Sequence, residues 1–298
     1  MYKAKILERM LHGEFLISVQ IDPPGLANAE KFNEMMDELI KNRVTLVDIN
    51  SSRRISHDSI QLASILSQKG LEVIPHITTR DSSINGLINQ ILAAYDLNKV
   101  NNFLVITGDP YEASQAIVPF EGVFQTDAVG ALSAFDTNLR KVGAEIRRDL
   151  TFAAAVNQNE EDLKGEGKWI REKEKAGADF FMSQPVFSEE QALMLIDFFS
   201  RYSSVPLLVG VWPLIHYKTI EAISKGKVVG VVLPPEIYKE AETYQEDENA
   251  LREWALDKTE RLIAFIKNLG LAYGVYIVAP ARNPLLILEL IKKVMQGG

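Results

Sequence analysis

The sequence predicts an α/β chain folded as a single (β/α)8 TIM barrel. Three observations lead there. Strand-like runs alternate with helix-like runs from end to end, and eight strand runs can be counted. The length, 298 residues, suits one barrel of this kind. No low-complexity stretch, repeat or linker divides the chain, so residues 1–298 are read as one domain. Strand–helix alternation implies parallel strands joined by right-handed crossovers. An open doubly wound sheet is the alternative arrangement of the same units.

The elements run in order. Phe15–Asp22 reads as the first strand, stopped by Pro23-Pro24-Gly25. Asn28 then caps a helix with Phe32, Met35, Met36, Leu39 and Ile40 on one face. Thr45–Asn50 is the second strand, and Ser56 is read as the cap of a helix carrying Ile60, Ala63 and Leu66. Further strands are expected at Glu72–Ile77, Asn102–Thr107, Thr151–Val156, Phe180–Ser183, Pro206–Val211 and Gly274–Val278. Helices are expected near 82–96, 126–147, 160–175, 188–201, 216–225, 235–266 (in one or two pieces) and 284–296. Asn283 and Pro284 supply a cap and a first-turn proline for the last one. Val228–Pro234 is apolar enough for a ninth strand but is read as irregular.

Composition narrows the functions. At 47% hydrophobic and 24% charged residues, the chain has the make-up of a globular protein with a real core. It holds no apolar run long enough to span a membrane, and Met1–Arg9 lacks a signal-peptide core, so the expected location is the cytoplasm. Without cysteine there is no disulfide, thiol nucleophile or cysteine-held metal. A net charge of -8 argues against a nucleic-acid partner. The four histidines show no metal-ligand spacing, so no metal is expected, and no nucleotide-binding glycine motif is present.

In a barrel of this class the active site lies at the C-terminal ends of the strands. Those ends are polar here: Gln20 and Asp22, Asn50, His76 with Thr78 and Arg80, Thr107-Gly108-Asp109, Asn157 and Asn159, Gln184, Trp212, and Arg282. Gln20 and Asp22 are two apart, so they share one side of strand one. Asp22 suits proton transfer and equally suits capping of the Pro-Pro turn. His76 follows Val73-Ile74-Pro75 and equally suits a hydrogen-bonded place in the core.

The same strand ends carry a family pattern. Val19-Gln20-Ile21-Asp22-Pro23-Pro24, Pro75-His76-Ile77-Thr78, Ile106-Thr107-Gly108-Asp109-Pro110, Ala176-Gly177-Ala178-Asp179 with Ser183-Gln184-Pro185-Val186-Phe187, and Gly210-Val211-Trp212-Pro213-Leu214 occur in that order. The chain resembles the methylenetetrahydrofolate reductase family over about residues 10 to 296, and looks most similar to the branch sometimes fused to a homocysteine methyltransferase. The resemblance implies FAD as cofactor, NADH or NADPH as co-substrate, and reduction of 5,10-methylenetetrahydrofolate to 5-methyltetrahydrofolate in the pathway to methionine. It implies that Asp109 lies near the flavin and the pterin and that Gln184 contacts both substrates. Asn50, His76, Thr107 and Gly108 fall on flavin-lining positions. Lys173 falls near the cofactor phosphates and Phe124 beside the flavin. Tyr217 covers the substrate, and Arg282, at the end of strand eight, is assigned to the substrate as well. Members of the family are often homo-oligomers.

The chain departs from the family at several of these places. Gln20 stands where the family keeps a glutamate that acts as general acid, and an amide cannot deliver that proton. Asp22, one pleat further on and roughly 6–7 Å away by strand geometry, is the candidate to replace it. Ala155 stands for a tyrosine and Asn159 for a histidine. Trp169 stands for an asparagine, and Glu166 for an aspartate, at cofactor-contacting positions. Two other functions stay open: a folate- or flavin-binding barrel that is non-catalytic or depends on a partner subunit, for which Gln20 is the support, and a barrel acting on a different one-carbon carrier or amine.

Overall fold

The computed structural model describes residues 6–25, 28–51, 56–110 and 122–296. Its eight parallel strands close into a barrel in simple sequence order, which is the (β/α)8 fold that alternation predicts. The strands are β1 (Leu16–Ile21), β2 (Leu46–Ile49), β3 (Glu72–Thr78), β4 (Asn102–Ile106), β5 (Thr151–Val156), β6 (Phe180–Val186), β7 (Leu207–Val211) and β8 (Gly274–Val278). The helices are α1 (Ile6–Leu11), α2 (Ala29–Lys41), α3 (Ser59–Gln68), α4 (Ile84–Asn98), α5 (Ala128–Val142), α6 (Ala144–Asp149), α7 (Leu163–Lys175), α8 (Glu189–Ser200), α9 (Tyr217–Ser224), α10 (Pro235–Glu242), α11 (Glu248–Leu269) and α12 (Leu288–Gln296).

Several boundaries differ from those read in the sequence. The segment expected as one helix over 126–147 is two, broken at Gly143, whose extended backbone ends α5 and caps α6. The cap of α3 is Asp58, whose carboxylate accepts the Gln61 N–H at 2.9 Å, and not Ser56. Asn28 occupies the cap position of α2 but makes no side-chain cap bond. The 235–266 segment is two helices, α10 and α11. Asn283 caps as expected, though the chain first makes a 3-10 turn, Pro284–Ile287, before α12 begins. Residues 228–234 are irregular, as read.

The chain packs as two compact units, Met1–Glu8 with Gln20–Ala155 and Glu172–Phe180, and Arg9–Val19 with Val156–Arg171 and Phe181–Gly298. In the first unit, Phe103 and Phe152 pack their rings together, and Phe152 also packs on Phe135 of α5. Those contacts put Phe103 and Phe152 on the helix-facing side of their strands. Alternation along a strand then turns Leu104 to the opposite, inner face. Ladder register pairs His76 with Leu104 and Asp48 with Ile74, so Asp48, Ile74 and His76 share that inner face. In the second unit, buried Phe187, Leu214, Ile220, Ile237 and Leu251 form an apolar cluster, and Phe181 meets Phe199 edge-on at 5.2 Å between ring centres. Among the described residues no helix is long and apolar enough to cross a membrane.

Candidate functional site

In the first unit, the ends of β1 to β4 assemble a polar cluster. The Asn50 backbone N–H donates to the Ile21 carbonyl at 2.9 Å, which carries the β1–β2 pairing one residue past the strand end. That places the Asn50 carboxamide beside Asp22, and its Nδ2 donates to Asp22 Oδ1 at 2.9 Å. Gln20 and Asp22 are both half-buried. Below them, His76 Nε2 stands 3.4 Å from Asp48 Oδ2, with the two side chains 5% and 0% exposed. The His76 carbonyl accepts from Ser59 at the start of α3, at 2.7 Å.

Arg80 organises the neighbouring loops. Its side chain is 2% exposed and forks onto Asp81, with Nε to Oδ1 at 2.7 Å and Nη2 to Oδ2 at 2.8 Å. Its Nη1 donates to the Asp109 carbonyl at 3.1 Å, and its own carbonyl accepts the Val123 N–H at 2.7 Å. Thr78 donates to Asp81 as well. Gly108 has φ +85°, and a Cβ there would stand 3.0 Å from Thr78 Cβ, so this tight turn admits only glycine comfortably. Thr107 Oγ1 accepts the Ala128 N–H at 3.0 Å, at the start of α5. The Phe124 ring fills the space a side chain at Gly122 would take. The Asp109 side chain is exposed. Lys173 Nζ donates to the Ala155 carbonyl at 2.8 Å.

The second unit holds a separate amide-rich cluster. β6 carries one extra residue relative to β7 between Met182 and Pro185, a bulge at Ser183–Gln184. The bulge is tied down on several sides. Ser183 Oγ accepts the Gly210 N–H at 3.0 Å and donates to the Gln184 carbonyl at 2.8 Å. Tyr276, whose ring lies over Gly210, donates its hydroxyl to the Ser183 carbonyl. Gln158 pairs with the Gln184 backbone in both directions, accepting its N–H at 3.1 Å and donating to its carbonyl at 2.9 Å. Asn159 Nδ2 donates to the Gly230 carbonyl at 2.8 Å. Glu166 is buried, and its Oε1 accepts the Asn157 N–H at 3.0 Å. Trp169, by contrast, is 41% exposed.

Tyr217 begins α9 and donates to the Tyr238 hydroxyl at 3.2 Å; that bond pushes its own phenol up to about 12. Arg282 is exposed on the 3-10 turn Pro280–Arg282 after β8, with φ +59°.

The expected residues thus fall into local pairs within each unit. Asp22 and Asn50 come together, while His76, Lys173, Glu166 and Gln184 each meet a group that sequence reading did not pair with them. Asp48, Gln158 and Gly230 were not singled out at all. Asp48 had a visible signal, a charge inside the apolar run Leu46-Val47-Asp48-Ile49. Gln158 and Gly230 had none, because their partners lie 26 and 71 residues away. Among the described residues no group of three or more metal-binding side chains is assembled.

Fold and strand-end chemistry together define the class: a (β/α)8 barrel with polar, amide- and carboxylate-bearing strand ends. The chain belongs to the methylenetetrahydrofolate reductase family, whose pattern it matches over residues 5–285. No curated protein sequence matches it. Among solved structures it is similar to a Clostridium thermocellum protein that binds two copies of 5-methyl-5,6,7,8-tetrahydrofolic acid. That likeness has TM-score 0.64 at 15% identity and covers 97% of this chain and 98% of the other. It is also similar to 2,3-dimethylmalate lyase of the PEP mutase/isocitrate lyase superfamily, with TM-score 0.54 at 12% identity over 97% and 83% of the two chains. At these identities the likenesses speak for the barrel fold alone.

Proposed function

We propose that this chain is a flavin-dependent reductase of 5,10-methylenetetrahydrofolate, with NADH or NADPH as electron source and residues 1–298 as its catalytic domain. Within the family its pattern is most similar to the branch found fused to homocysteine methyltransferase. The carrying observation is the Asp22–Asn50 pair at 2.9 Å beside Gln20, in a chain whose family match spans residues 5–285. The Clostridium thermocellum protein, which shares the barrel fold, is one that binds a reduced folate.

The donor set suits the ring end of a flavin. Asn50, His76 and Thr107 bring hydrogen-bonding side chains, and Gly108 offers backbone without a side chain. The phosphate end is less well served. Lys173 is committed to the Ala155 carbonyl, and Glu166 is a carboxylate already accepting a backbone N–H. Phosphates gain the Lys173 charge only when that bond opens. A bound flavin supplies hydride transfer between the nicotinamide and the folate. The chain's own residues bind, orient and transfer the proton. Asp22, oriented by Asn50, hands a proton to the amine nitrogen released when the methylene bridge opens, in place of the acid that Gln20 cannot be. Asp109, whose backbone Arg80 holds, is assigned to the flavin and the pterin, and Gln184, Tyr217 and Arg282 are assigned to the substrate.

Asp22→Asn tests the assignment. Losing a positioned acid costs roughly 10²- to 10⁴-fold in the folate step. NAD(P)H oxidation with an artificial acceptor should be preserved. Equal loss in both half-reactions, or in neither, refutes the role of Asp22.

A second reading has its own support. Gln20 is neutral, and Lys173 and Glu166 are engaged within the protein, which suits a barrel that binds folate and performs no reduction. Visible absorption separates the two. A flavin spectrum bleached by NAD(P)H supports the reductase; a colourless protein that binds 5-methyltetrahydrofolate and takes up no added FAD supports the binding protein.

A further inference from the structure

We infer that Gln158 is the positioning residue of Gln184, acting as a one-residue substitute for a neighbouring strand. The inference rests on the reading above, in which Gln184 contacts the folate.

Gln184 lies at the bulge in β6, where the extra residue interrupts regular ladder pairing. A buried backbone N–H and carbonyl without partners are costly, so the interruption must be answered locally. The Gln158 carboxamide answers it from a single side chain: Oε1 takes the Gln184 N–H at 3.1 Å and Nε2 gives to the Gln184 carbonyl at 2.9 Å, a carbonyl that Ser183 Oγ also reaches at 2.8 Å. A primary amide does both at once whatever the pH. A carboxylate accepts but does not donate, an ammonium donates but does not accept, and an apolar side chain does neither.

With the backbone held in this way, the direction of the Gln184 side chain is limited by its surroundings. Its neighbour is Gly230. A Cβ built there would stand 3.1 Å from Gln184 Nε2 and 3.3 Å from its Cδ, so the Gln184 carboxamide rests against bare glycine backbone. Gly230 has φ +74°, and its carbonyl is held by Asn159 Nδ2 at 2.8 Å. The next residue but one is held as well, since Gln191 Nε2 donates to the Val232 carbonyl at 3.0 Å. Gln158 therefore sets the backbone of Gln184, and the tethered Gly230 sets one wall for its side chain. Neither need touch the ligand.

Two variants test this. Gln158→Leu removes both bonds and keeps much of the volume. Amide exchange at Gln184 should then rise by about tenfold or more, while the Gly210 N–H, held by Ser183, keeps its protection. The dissociation constant for 5-methyltetrahydrofolate should rise by about tenfold. Gln158→Glu gives a sharper signature. Ionised, the glutamate accepts the N–H and turns its second oxygen on the Gln184 carbonyl; protonated, it regains a donor. Half-buried, with a carbonyl oxygen in front of it and Glu160 nearby, that carboxyl should protonate above the ordinary range, so folate affinity should recover toward the wild-type value as pH falls from about 8 to 5, a recovery the wild-type chain should not show.

Unchanged Gln184 exchange in Gln158→Leu overturns the positioning role, as does weak binding by Gln158→Glu at every pH. If the wild-type chain binds no reduced folate, the functional reading fails instead. The exchange measurement then still decides whether Gln158 holds Gln184.

Discussion

Arg147 gives the most direct test of the forces that hold the first unit together. Its side chain is 8% exposed, and every part of the guanidinium is used. Nε donates to Asp136 at 2.8 Å, Nη1 to the Leu150 carbonyl at 3.0 Å and Nη2 to the Gly177 carbonyl at 3.1 Å. Nη2 also stands 3.5 Å from Asp179, and the guanidinium lies over the Phe152 ring at 5.1 Å. One arginine so joins the end of α6, the start of β5 and the loop leading into β6. These are the N-terminal ends of the strands, the side of a barrel that serves stability.

Arg147→Met keeps the stem and deletes the charge and the donors. Removing one partner of a buried ion pair costs about 3–5 kcal/mol. Asp179 keeps 24% of its side chain exposed, so the lower end, about 3 kcal/mol, is expected. At roughly 2–4 °C per kcal/mol, the melting temperature should fall by about 6–12 °C. The loss should also depend on pH. Burial holds the Asp179 carboxyl above the usual carboxylate range, against the pull of Arg147. A raised folded pKa favours the folded state at low pH, and that advantage fades as pH rises through the folded value. Without Arg147 the carboxyl rises further, so the variant suffers most near neutrality and recovers on acidification. Asp136 adds a separate effect at lower pH, below the window compared in this test. Its carboxyl is held low, first by Arg140 and then, against burial, by Arg147. It stabilises the fold above its unfolded pKa and loses that effect in acid. Thermal melts of both proteins at pH 7 and pH 5 should show the gap narrowing at pH 5. A constant gap, or a loss under about 1 kcal/mol, refutes the assignment.

Two further perturbations test the geometry elsewhere. Tyr238→Phe removes the hydroxyl that accepts from Tyr217, so Tyr217 should titrate back toward 10.0 from about 12; a phenolate absorbance titration in which its midpoint does not move counts against the pair. Gly274→Ala should be far worse than Gly270→Ala. At Gly274 a Cβ would stand 2.3 Å from the Leu16 carbonyl oxygen, a backbone atom that cannot step aside, whereas Gly270 has φ +63° and open space. Overpacking costs about 1–3 kcal/mol or more, against roughly 1 kcal/mol for a strained but roomy site. Denaturation midpoints that fall equally in both variants would contradict the close approach.

The barrel was legible because its signals are local. Each strand is a short apolar run with a breaker after it, and Thr151–Val156 and Gly274–Val278 have the limits the sequence suggests. Errors came where two local signals compete. Ser56 and Asp58 are both good caps two residues apart, and only the bond to Gln61 decides between them. Pro185 argues for the end of β6, since proline cannot donate to a ladder. The strand continues to Val186 because the bulge falls there, where a missing donor is tolerated. α1 is a six-residue helix, too short for periodicity to show.

Site residues were legible in kind but not in partnership, and the difference has a physical cause. A polar strand end announces that some group must be met there, not which one. Lys173 and Glu166 have the charges expected of cofactor-contacting positions, yet each serves the protein's own backbone at the start of the β5–α7 connection. A ligand that takes either group must first replace that bond, and a buried backbone group left without its partner costs roughly 1–3 kcal/mol. Asn50 differs: its carboxamide donates to the half-buried Asp22 carboxylate, a side chain and not the backbone. Binding energy at this barrel is therefore expected to come first from the Asp22–Asn50 end. The Lys173 and Glu166 positions contribute only to a ligand whose own groups match what they give up.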